Sequence, residues 1–316
     1  MNDSIFISIA SYRDINCSKT MESIFGNAQN PDRVFVGLCQ QNDANVDEEC
    51  SITEDKYRSN IRVIKLKHFE AKGPTWARYL CSTLWNNEKY FLQIDSHTLF
   101  SKNWDAELVD MIELLKSRGV DKPVLSHYPK SYETYDEDQN VDKSGSNIVT
   151  RMCKAFFNDR GMISFLGAQE MEIPKDTFIE TAYMAAGMFF CESTFLQDIP
   201  FDPDLPFLFV GEEILHSARF WTSGWDIYTP SKNVLYHLYT RKDEPKIWTD
   251  QTYSDIPAFN KVKLIMGLDN NNDVPDYLTY NMNKYGMGKA RTLAQYYEFC
   301  GIDLDKKTVS RDFCST

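Results

Sequence analysis

Several familiar signatures of ligand binding are missing from this 316-residue sequence. No Gly-x-Gly-x-x-Gly follows the first predicted strand and no Gly-x-x-x-x-Gly-Lys-Ser/Thr occurs anywhere, so neither a Rossmann dinucleotide site nor a P-loop is indicated. The eight cysteines include no Cys-x-x-Cys pair, which argues against the usual zinc and dithiol redox motifs. We therefore expect reduced thiols that pack in the interior.

Positive charge and long apolar runs are also scarce. The 34 Lys and Arg residues are outnumbered by 46 Asp and Glu residues, and the net charge of −12 argues against a nucleic-acid partner. The N-terminus enters a strand without a basic, signal-like segment, and no apolar run is long enough to span a bilayer. These absences predict a cytoplasmic protein without a transmembrane segment.

Predicted strands and helices alternate in the first third of the chain. The helices cover Ser18–Gly26 and Thr75–Asn86. Because strands joined by helical crossovers form parallel sheets, we predict an α/β fold with a mainly parallel central sheet and a ligand cleft at the carboxyl ends of its strands. The predicted strands are Ile5–Ile9, Arg33–Leu38, Ile61–Leu66 and Tyr90–Ile94.

Polar side chains follow three of these strands. Because the carboxyl ends of parallel strands meet at one edge of a sheet, we expect these side chains to line one cleft. They are Ser11, Tyr12, Arg13 and Asp14 after the first strand, Gln40 and Gln41 after the second, and Asp95 and His97 after the fourth.

The Asp95-Ser-His97 turn is the main candidate for metal binding. Residues two apart in an extended chain project to the same side, so this carboxylate and imidazole can converge on one cation. Such a mixed set suits manganese, whereas an all-oxygen site favours magnesium or calcium. His237, a polar residue in the apolar run Leu235–Tyr239, is the best third ligand by residue type. The alternative stays open, because a lone Asp-x-His also arises by chance.

The segment before the second helix is a candidate anion site. Gly73-Pro74 opens that helix, and its N-terminal N–H groups lie close in sequence to Lys72 and Arg78. These groups could bind an anion together. The alternative is that both cations are merely solvated.

Two later segments are candidates for contacts with a ligand. Ala186 and Gly187 are small residues beside an apolar strand, which allows a ligand to approach the backbone closely. Glu212 and Glu213 begin a helix and can accept hydrogen bonds from hydroxyl groups. Two alternatives stay open: Ala186 and Gly187 could simply pack in the core, and Glu212 and Glu213 could simply interact with the helix dipole.

The last part of the chain gives weaker signals. Residues Lys242–Ala258 are predicted to be a loop with Trp248 at its tip, which is either a lid that excludes water or a simple connector. We predict a catalytic domain over residues 1–258 and a helical appendage over residues 259–316 that packs on it.

The order of these motifs resembles a known group of enzymes. A strand-end Asp-Ser-His, an Ala-Gly strand, a Gly-Glu-Glu helix ending in Trp-x-x-Gly and a Tyr-His-Leu strand are similar to retaining glycosyltransferases of the GT-A fold. The polypeptide N-acetylgalactosaminyltransferases are one such family. The segments Ile7–Asp14 and Tyr285–Thr292 look more like the cytoplasmic N-acetylglucosaminyltransferase family that modifies hydroxyproline on the adaptor Skp1. The resemblance covers most of residues 1–300.

This resemblance implies a Mn²⁺ (or Mg²⁺) ion on the diphosphate of a UDP-sugar. It implies that Asp95, His97 and His237 are the metal ligands. It places Ala186, Gly187, Glu212 and Glu213 beside the donor sugar, and Tyr12, Arg13 and Gln40 at the uridine. The phosphate-binding arginine of the mucin-type enzymes lies three residues after the histidine, whereas here Thr240 holds that position and Arg241 follows.

The residues and the resemblance together predict a function and a set of site residues. We predict retaining transfer of a sugar, with N-acetylglucosamine favoured, from a UDP-sugar to a hydroxyl of a protein (hydroxyproline, Ser or Thr) or of a glycan. The predicted catalytic residues are Glu212, Glu213 and Arg241. The predicted donor-binding residues are Ser11, Tyr12, Arg13, Gln40, Lys72, Arg78, Asp95, Ala186, Gly187 and Trp248.

Two other classes of function remain open. A non-catalytic module that binds a sugar nucleotide or a glycan would keep the same metal ligands but would show no turnover. A metal-dependent phosphodiesterase would need more carboxylates and imidazoles around the metal than a chain with five histidines comfortably provides.

Overall fold

The computed structural model describes residues 3–138, 141–143, 147–242, 244–268 and 275–315. The strands are β1 (Ile5–Tyr12), β2 (Val34–Asn42), β3 (Ile61–Lys67), β4 (Tyr90–Asp95), β5 (Thr98–Phe100), β6 (Pro123–Ser126), β7 (Lys130–Ser131), β8 (Tyr135–Asp136), β9 (Val141–Asp142), β10 (Ile148–Met152), β11 (Ala155–Phe157), β12 (Ile163–Phe165), β13 (Ala168–Glu172), β14 (Ile179–Thr181), β15 (Met188–Glu192), β16 (Asp226–Thr229), β17 (Leu235–His237), β18 (Ile302–Asp303) and β19 (Thr308–Val309). The helices are α1 (Cys17–Asn27), α2 (Pro74–Ser82), α3 (Trp104–Ser117), α4 (Phe195–Asp198), α5 (Glu212–Thr222), α6 (Ile247–Asp250), α7 (Ile256–Ile265), α8 (Asp276–Thr279), α9 (Met282–Tyr285) and α10 (Leu293–Cys300).

An eight-stranded sheet forms the centre of the fold, in the order β14-β16-β6-β15-β4-β1-β2-β3. Strands β3, β2, β1 and β4 are parallel neighbours, and β15 lies antiparallel between β4 and β6. Strand β16 is parallel to β6, and β14 is antiparallel at the far edge. The sheet is therefore mainly parallel, which confirms the predicted α/β class.

The predicted elements of the first third are present with small changes in length. The four strands correspond to β1–β4 and the two helices to α1 and α2. Helix α2 ends at Ser82, four residues before the predicted end at Asn86. The chain turns there, and Asn87 adopts a φ of 65°, which a helix does not accommodate. In the described part of the chain, every helix is too short or too polar to cross a bilayer.

Two apolar layers cover the two faces of the sheet. Successive residues of a strand point to opposite faces, so Ile5 and Ile7 of β1 belong to one buried cluster and Phe6 belongs to another. The first cluster is packed against α1 and α3, whereas the second contains an aromatic group around Phe91 and Phe195. Burial on both faces explains why β1 and β4 are continuous apolar runs.

A smaller sheet positions the segment after β4. Strand β5 pairs antiparallel with β17, with His237 opposite Thr98, and β17 also pairs in parallel with β7. The backbone N–H of Leu238 donates to the carbonyl of His97 at 3.1 Å. This pairing brings His237 beside the Asp95–His97 turn, 140 residues away in sequence.

Four of the eight cysteines form disulfides. The structure joins Cys17 to Cys50 and Cys153 to Cys314, with Cα–Cα distances of 5.3 and 5.2 Å that are normal for a disulfide. The expectation of eight reduced thiols is therefore wrong for these two pairs. Because disulfides are typical of oxidising compartments, the pairs lend no support to the predicted cytoplasmic location, which stays a prediction.

The C-terminal residues share a core with the region before them. The ring of Trp221 on α5 stacks on Phe299 at 5.5 Å and lies 5.6 Å from Tyr296, both on α10. The Lys261 ammonium on α7 forms a fully buried ion pair with Asp202 at 2.7 Å. The predicted boundary at 258/259 thus crosses one packed cluster, and the division into two domains stays a prediction.

We predict that Lys261→Met lowers the free energy of unfolding by about 3–5 kcal/mol, because it leaves the Asp202 carboxylate buried without its partner. Urea unfolding followed by circular dichroism measures this loss. The double variant Lys261→Met/Asp202→Leu should lose less than the single one, since no unpaired charge remains. A single-variant loss below about 1 kcal/mol would mean that the pair contributes little.

Candidate active site

A cavity of about 570 Å³ lies at the carboxyl ends of β1, β2 and β4. Several predicted site residues, distant in sequence, meet in its wall. They are Tyr12, Arg78, Asp95, His97, Ala186, Gly187, Glu212, Glu213, His237, Arg241 and Trp248. The structure therefore brings most of the predicted set to one place.

The three predicted metal ligands form a compact cluster in this cavity. One potential ligand atom from each of Asp95, His97 and His237 lies within 4.8 Å of the others. Asp95 Oδ2 and His237 Nε2 are 3.2 Å apart, and the centroids of the two imidazole rings are 4.7 Å apart. A carboxylate with two imidazoles is a donor set that suits a first-row divalent cation such as Mn²⁺.

Helix α1 supports the turn that carries Asp95 and His97. The Thr20 hydroxyl donates to the carbonyl of Ser96 at 2.8 Å and accepts from the N–H of Thr98 at 2.9 Å. The Thr98 hydroxyl in turn donates to the carbonyl of Asp95 at 2.9 Å. The turn is thereby held at both ends by side chains from rigid elements.

Asp14 is a buried carboxylate that the sequence reasoning did not include among the site residues. Its Oδ2 atom accepts from the Ser96 hydroxyl at 2.6 Å and lies 2.6 Å from His97 Nδ1. Burial alone would raise the pKa of Asp14, but the hydrogen bond and charge of His97, helped by Arg241, hold it well below its usual range. The only sequence signal was its place among the polar residues that follow β1.

Arg78 lies between two carboxylates of the cavity. Its guanidinium forms ion pairs with Asp95 Oδ1 at 2.8 Å and with Glu212 Oε1 at 2.5 Å, and it is only 4% exposed. The alternative of a solvated Arg78 is therefore wrong. Burial raises the pKa of Glu212, and the charge of Arg78 opposes this shift. At Asp95 burial acts in the same direction, but the hydrogen bond of His237 and the charge of Arg78 outweigh it and hold the pKa well below its usual range.

Glu213 is fixed by two donors. Its carboxylate accepts from the backbone N–H of Ala186 at 3.0 Å and from the Tyr128 hydroxyl at 2.7 Å. Burial raises the pKa of Glu213, and these two hydrogen bonds oppose the shift. The Gln93 amide donates to the carbonyl of Ala186 at 2.7 Å, so the backbone at Ala186 is held on both sides.

Gly187 allows the backbone to pass close to Asp95. A Cβ atom at this position would lie 2.9 Å from Asp95 Oδ2, which is closer than a van der Waals contact permits. The absence of a side chain at Gly187 thus leaves room for the Asp95 carboxylate.

A segment that we call the strap, residues 241–242 and 244–250, borders the cavity. Arg241 pairs with Glu244 at 2.7 Å, and its Nη1 atom lies 3.4 Å from His97 Nδ1. Trp248 is 56% exposed and meets Phe209 edge to face at 5.9 Å. At the other end of the strap, Asp250 accepts hydrogen bonds from Tyr12, the last residue of β1, and from Arg13.

Four predicted site residues lie outside the cavity wall. The Gln40 amide oxygen accepts from the backbone N–H of Cys50 at 2.8 Å, and the next residue, Gln41, lines the cavity instead. Adjacent strand residues face opposite sides, which accounts for the difference. The other three residues are Ser11, which is buried; Arg13, which binds Asp47 and Asp250; and Lys72, whose ammonium lies 5.1 Å from the Trp76 ring centroid.

Two solved structures that match this chain contain a uridine nucleotide or a sugar nucleotide. One is GalNAc-T7 with UDP, GalNAc and Mn²⁺, with a TM-score of 0.61 and 13% identity; the match covers 93% of this chain and 56% of that one. The other is TarS from S. aureus with UDP-GlcNAc, with a TM-score of 0.49, 14% identity and coverage of 94% and 73%. This chain therefore spans little more than half of GalNAc-T7, and at such identity the first likeness shows the GT-A fold alone. No curated protein sequence matches the chain.

A family model gives the more specific result. The model described as "Glycosyltransferase (GlcNAc)" matches residues 4–57 and 47–306. These ranges contain all of the predicted site residues and nearly all of the chain. The motifs that resemble GT-A glycosyltransferases in the sequence lead to the same conclusion: the chain belongs to the GlcNAc glycosyltransferase family.

Proposed function

We propose that the protein transfers a sugar, with N-acetylglucosamine favoured, from a UDP-sugar to a hydroxyl of a protein or a glycan, with the help of a divalent metal. The convergence of Asp95, His97 and His237 in the cavity that also contains Glu212 and Glu213 carries this proposal. The presence of UDP, GalNAc and Mn²⁺ in the similar GalNAc-T7 structure supports the same ligand classes.

The donor set fits a Mn²⁺ ion held by Asp95, His97 and His237. When bound, such an ion supplies positive charge that offsets the charge developing on the leaving diphosphate. The Arg241 guanidinium lines the same cavity and adds a second positive charge there. We assign it the phosphate-binding role, one residue later than in the mucin-type enzymes.

The other cavity residues orient the donor and exclude water. Glu212 and Glu213 face the cavity, where their free lone pairs can accept hydrogen bonds from sugar hydroxyls. The strap, with Trp248, covers one side of the cavity and would limit hydrolysis of the donor. Tyr12 lies at the end of β1, where we place the uridine.

We propose retention of configuration by front-face attack. A double displacement needs a carboxylate free to attack the anomeric carbon, but Glu212 is bound to Arg78, and Glu213 is bound to the Ala186 N–H and the Tyr128 hydroxyl. The β-phosphate of the donor can instead take the proton of the acceptor hydroxyl. This route uses the enzyme for placement and charge stabilisation, without a protein nucleophile.

A non-catalytic module that binds sugar nucleotides is the second candidate. The described cluster of metal ligands does not distinguish it from an enzyme, since both would hold the diphosphate through the metal. Turnover distinguishes them, because only the enzyme releases UDP when a donor and a suitable acceptor are present.

Asp95→Ala and His97→Ala should each abolish Mn²⁺-dependent binding of UDP, because each removes one of the three proposed protein ligands. Isothermal titration calorimetry with UDP, with and without Mn²⁺, measures the effect, and circular dichroism checks the fold. His68→Ala is the control, since it removes an imidazole that does not line the cavity. Unchanged Mn²⁺-dependent affinity in both ligand variants would overturn the metal assignment.

Gly187→Ala should weaken Mn²⁺-dependent UDP binding while the protein stays folded. The new Cβ atom would lie 2.9 Å from Asp95 Oδ2, so the carboxylate would have to move. Gly26→Ala is the matched control: it lies within α1, a Cβ there meets nothing within 4 Å, and the change should stabilise the helix by about 0.5–1 kcal/mol. Equal UDP affinity in the two variants would contradict the close approach of Gly187 to the metal site.

Incubation with a panel of nucleotide sugars, Mn²⁺ and peptide or glycan acceptors should release UDP, and most strongly from UDP-GlcNAc. The product should be α-linked, since the donor is α-linked and front-face attack retains the configuration. A coupled assay measures free UDP, and proton NMR of the anomeric coupling gives the linkage. Binding without any release of UDP would favour the non-catalytic module, and a β-linked product would exclude the front-face mechanism.

A further inference from the structure

We infer that Asp14 is a positioning residue that fixes the tautomer and orientation of the His97 imidazole, so that His97 presents Nε2 toward the cluster of metal ligands. The inference rests on the proposed metal-dependent function, which gives that orientation its purpose. It concerns a carboxylate that lies behind the cavity and does not line it.

Both carboxylate oxygens of Asp14 make hydrogen-bond contacts with neighbouring residues. Its side chain is fully buried, and Oδ2 lies 2.6 Å from both the Ser96 hydroxyl and His97 Nδ1. The second oxygen, Oδ1, accepts from the backbone N–H of Asn16 at 2.9 Å and from its side-chain amide at 3.3 Å. Both oxygens are thus committed to residues of the turn and of the segment before α1.

The contact with His97 decides which ring nitrogen is available. A neutral imidazole carries one N–H donor and one acceptor nitrogen, and a carboxylate can only accept when it is ionised. The Nδ1 atom of His97 must therefore hold the proton that it donates to Asp14, which leaves the lone pair on Nε2. A carboxylate behind a ligating histidine acts in this way in many metal sites, and its loss typically weakens metal binding about 10–100-fold.

The two histidines of the cluster differ in this respect. His237 Nε2 faces Asp95 Oδ2 at 3.2 Å, and its buried Nδ1 atom has no hydrogen-bond partner in the part of the chain that the structure describes. The ring of His237 is positioned by packing, since it contacts Tyr239 edge to face at 4.4 Å. Loss of Asp14 should therefore change the tautomer of His97 and leave that of His237 unchanged.

Asp14 also lies close to the cation of the strap. Arg241 Nη1 is 3.5 Å from Asp14 Oδ2. The same carboxylate therefore borders both a proposed metal ligand and the proposed phosphate-binding arginine. One substitution should therefore disturb both.

The decisive measurement is long-range ¹H–¹⁵N NMR of the imidazole nitrogens in the metal-free protein, at a pH at which the rings are neutral. In the native protein, His97 should be the Nδ1–H tautomer. In Asp14→Ala, the Nε2–H form should become populated, whereas Asp14→Asn should largely keep the native form because the amide oxygen can still accept from Nδ1–H. His127 and His216, both buried and with pKa lowered to about 3 by burial, are internal references that remain neutral.

A second measurement is Mn²⁺ affinity without nucleotide, by electron paramagnetic resonance. Asp14→Ala should bind Mn²⁺ about 10–100-fold more weakly, and Asp14→Asn should show a smaller loss. Asp105→Asn is the matched control, since Asp105 is a buried carboxylate that accepts two backbone N–H groups, those of Gln29 and Asn30, without contact with the cluster. It should lose stability but keep its Mn²⁺ affinity.

Three outcomes separate the inference from the proposed function. An unchanged His97 tautomer in a folded Asp14→Ala variant, or Mn²⁺ affinity lowered no more than in Asp105→Asn, would overturn the positioning role. A native protein that binds no Mn²⁺ would overturn the metal-dependent function, while the tautomer measurement would still decide the inference. If Asp14→Ala does not fold, the His97 tautomer of the native protein decides, because an Nε2–H form there would overturn the positioning role.

Discussion

The ion pairs of Arg78 are the interaction on which the cavity depends. The guanidinium lies between Asp95 at the end of β4 and Glu212 at the start of α5 and is itself carried by α2. Two carboxylates placed this close in a buried setting would repel each other and favour protonation. Because Arg78 binds Asp95 through Oδ1, the other oxygen, Oδ2, remains directed toward His237. One buried cation thus lets the fold bring the proposed metal-binding carboxylate of Asp95 and the carboxylate of Glu212, which we assign to the sugar, into the same wall.

Much of the fold could be predicted from the sequence, because its signals are local. The apolar runs of β1–β4 mark strands buried on both faces, and the spacing of Asp95 and His97 follows from the geometry of an extended chain. The proximity of His237 was suggested only by residue type and by the resemblance, since it depends on the pairing of β5 with β17. Local patterns do not encode that long-range register.

The wrong predictions concern residues whose orientation or partner is set by contacts between distant parts of the chain. Gln40 and Gln41 are adjacent and alike, so composition cannot tell which of them faces the cavity; the choice depends on the register of β2 against β1. Lys72 and Arg78 lie in one predicted anion site, yet only Arg78 finds buried partners, and these come from distant elements. The disulfide partners are 33 and 161 residues apart, separations that sequence spacing does not reveal.

Hydrogen bonds near both ends of the strap involve residues that we assign to donor binding, and at one end they connect the strap to the end of β1. Asp250 accepts from the Tyr12 hydroxyl at 2.9 Å and from Arg13 Nη1 at 3.0 Å, while Glu244 at the other end holds Arg241 at 2.7 Å. The first set of contacts involves Tyr12, which we assign to the uridine, and the second involves Arg241, which we assign to the diphosphate. Movement of the strap would therefore change the surroundings of both parts of the donor at once. Since these hydrogen bonds lie at a partly exposed surface, each contributes modestly to stability, and their loss on opening the cavity would cost little.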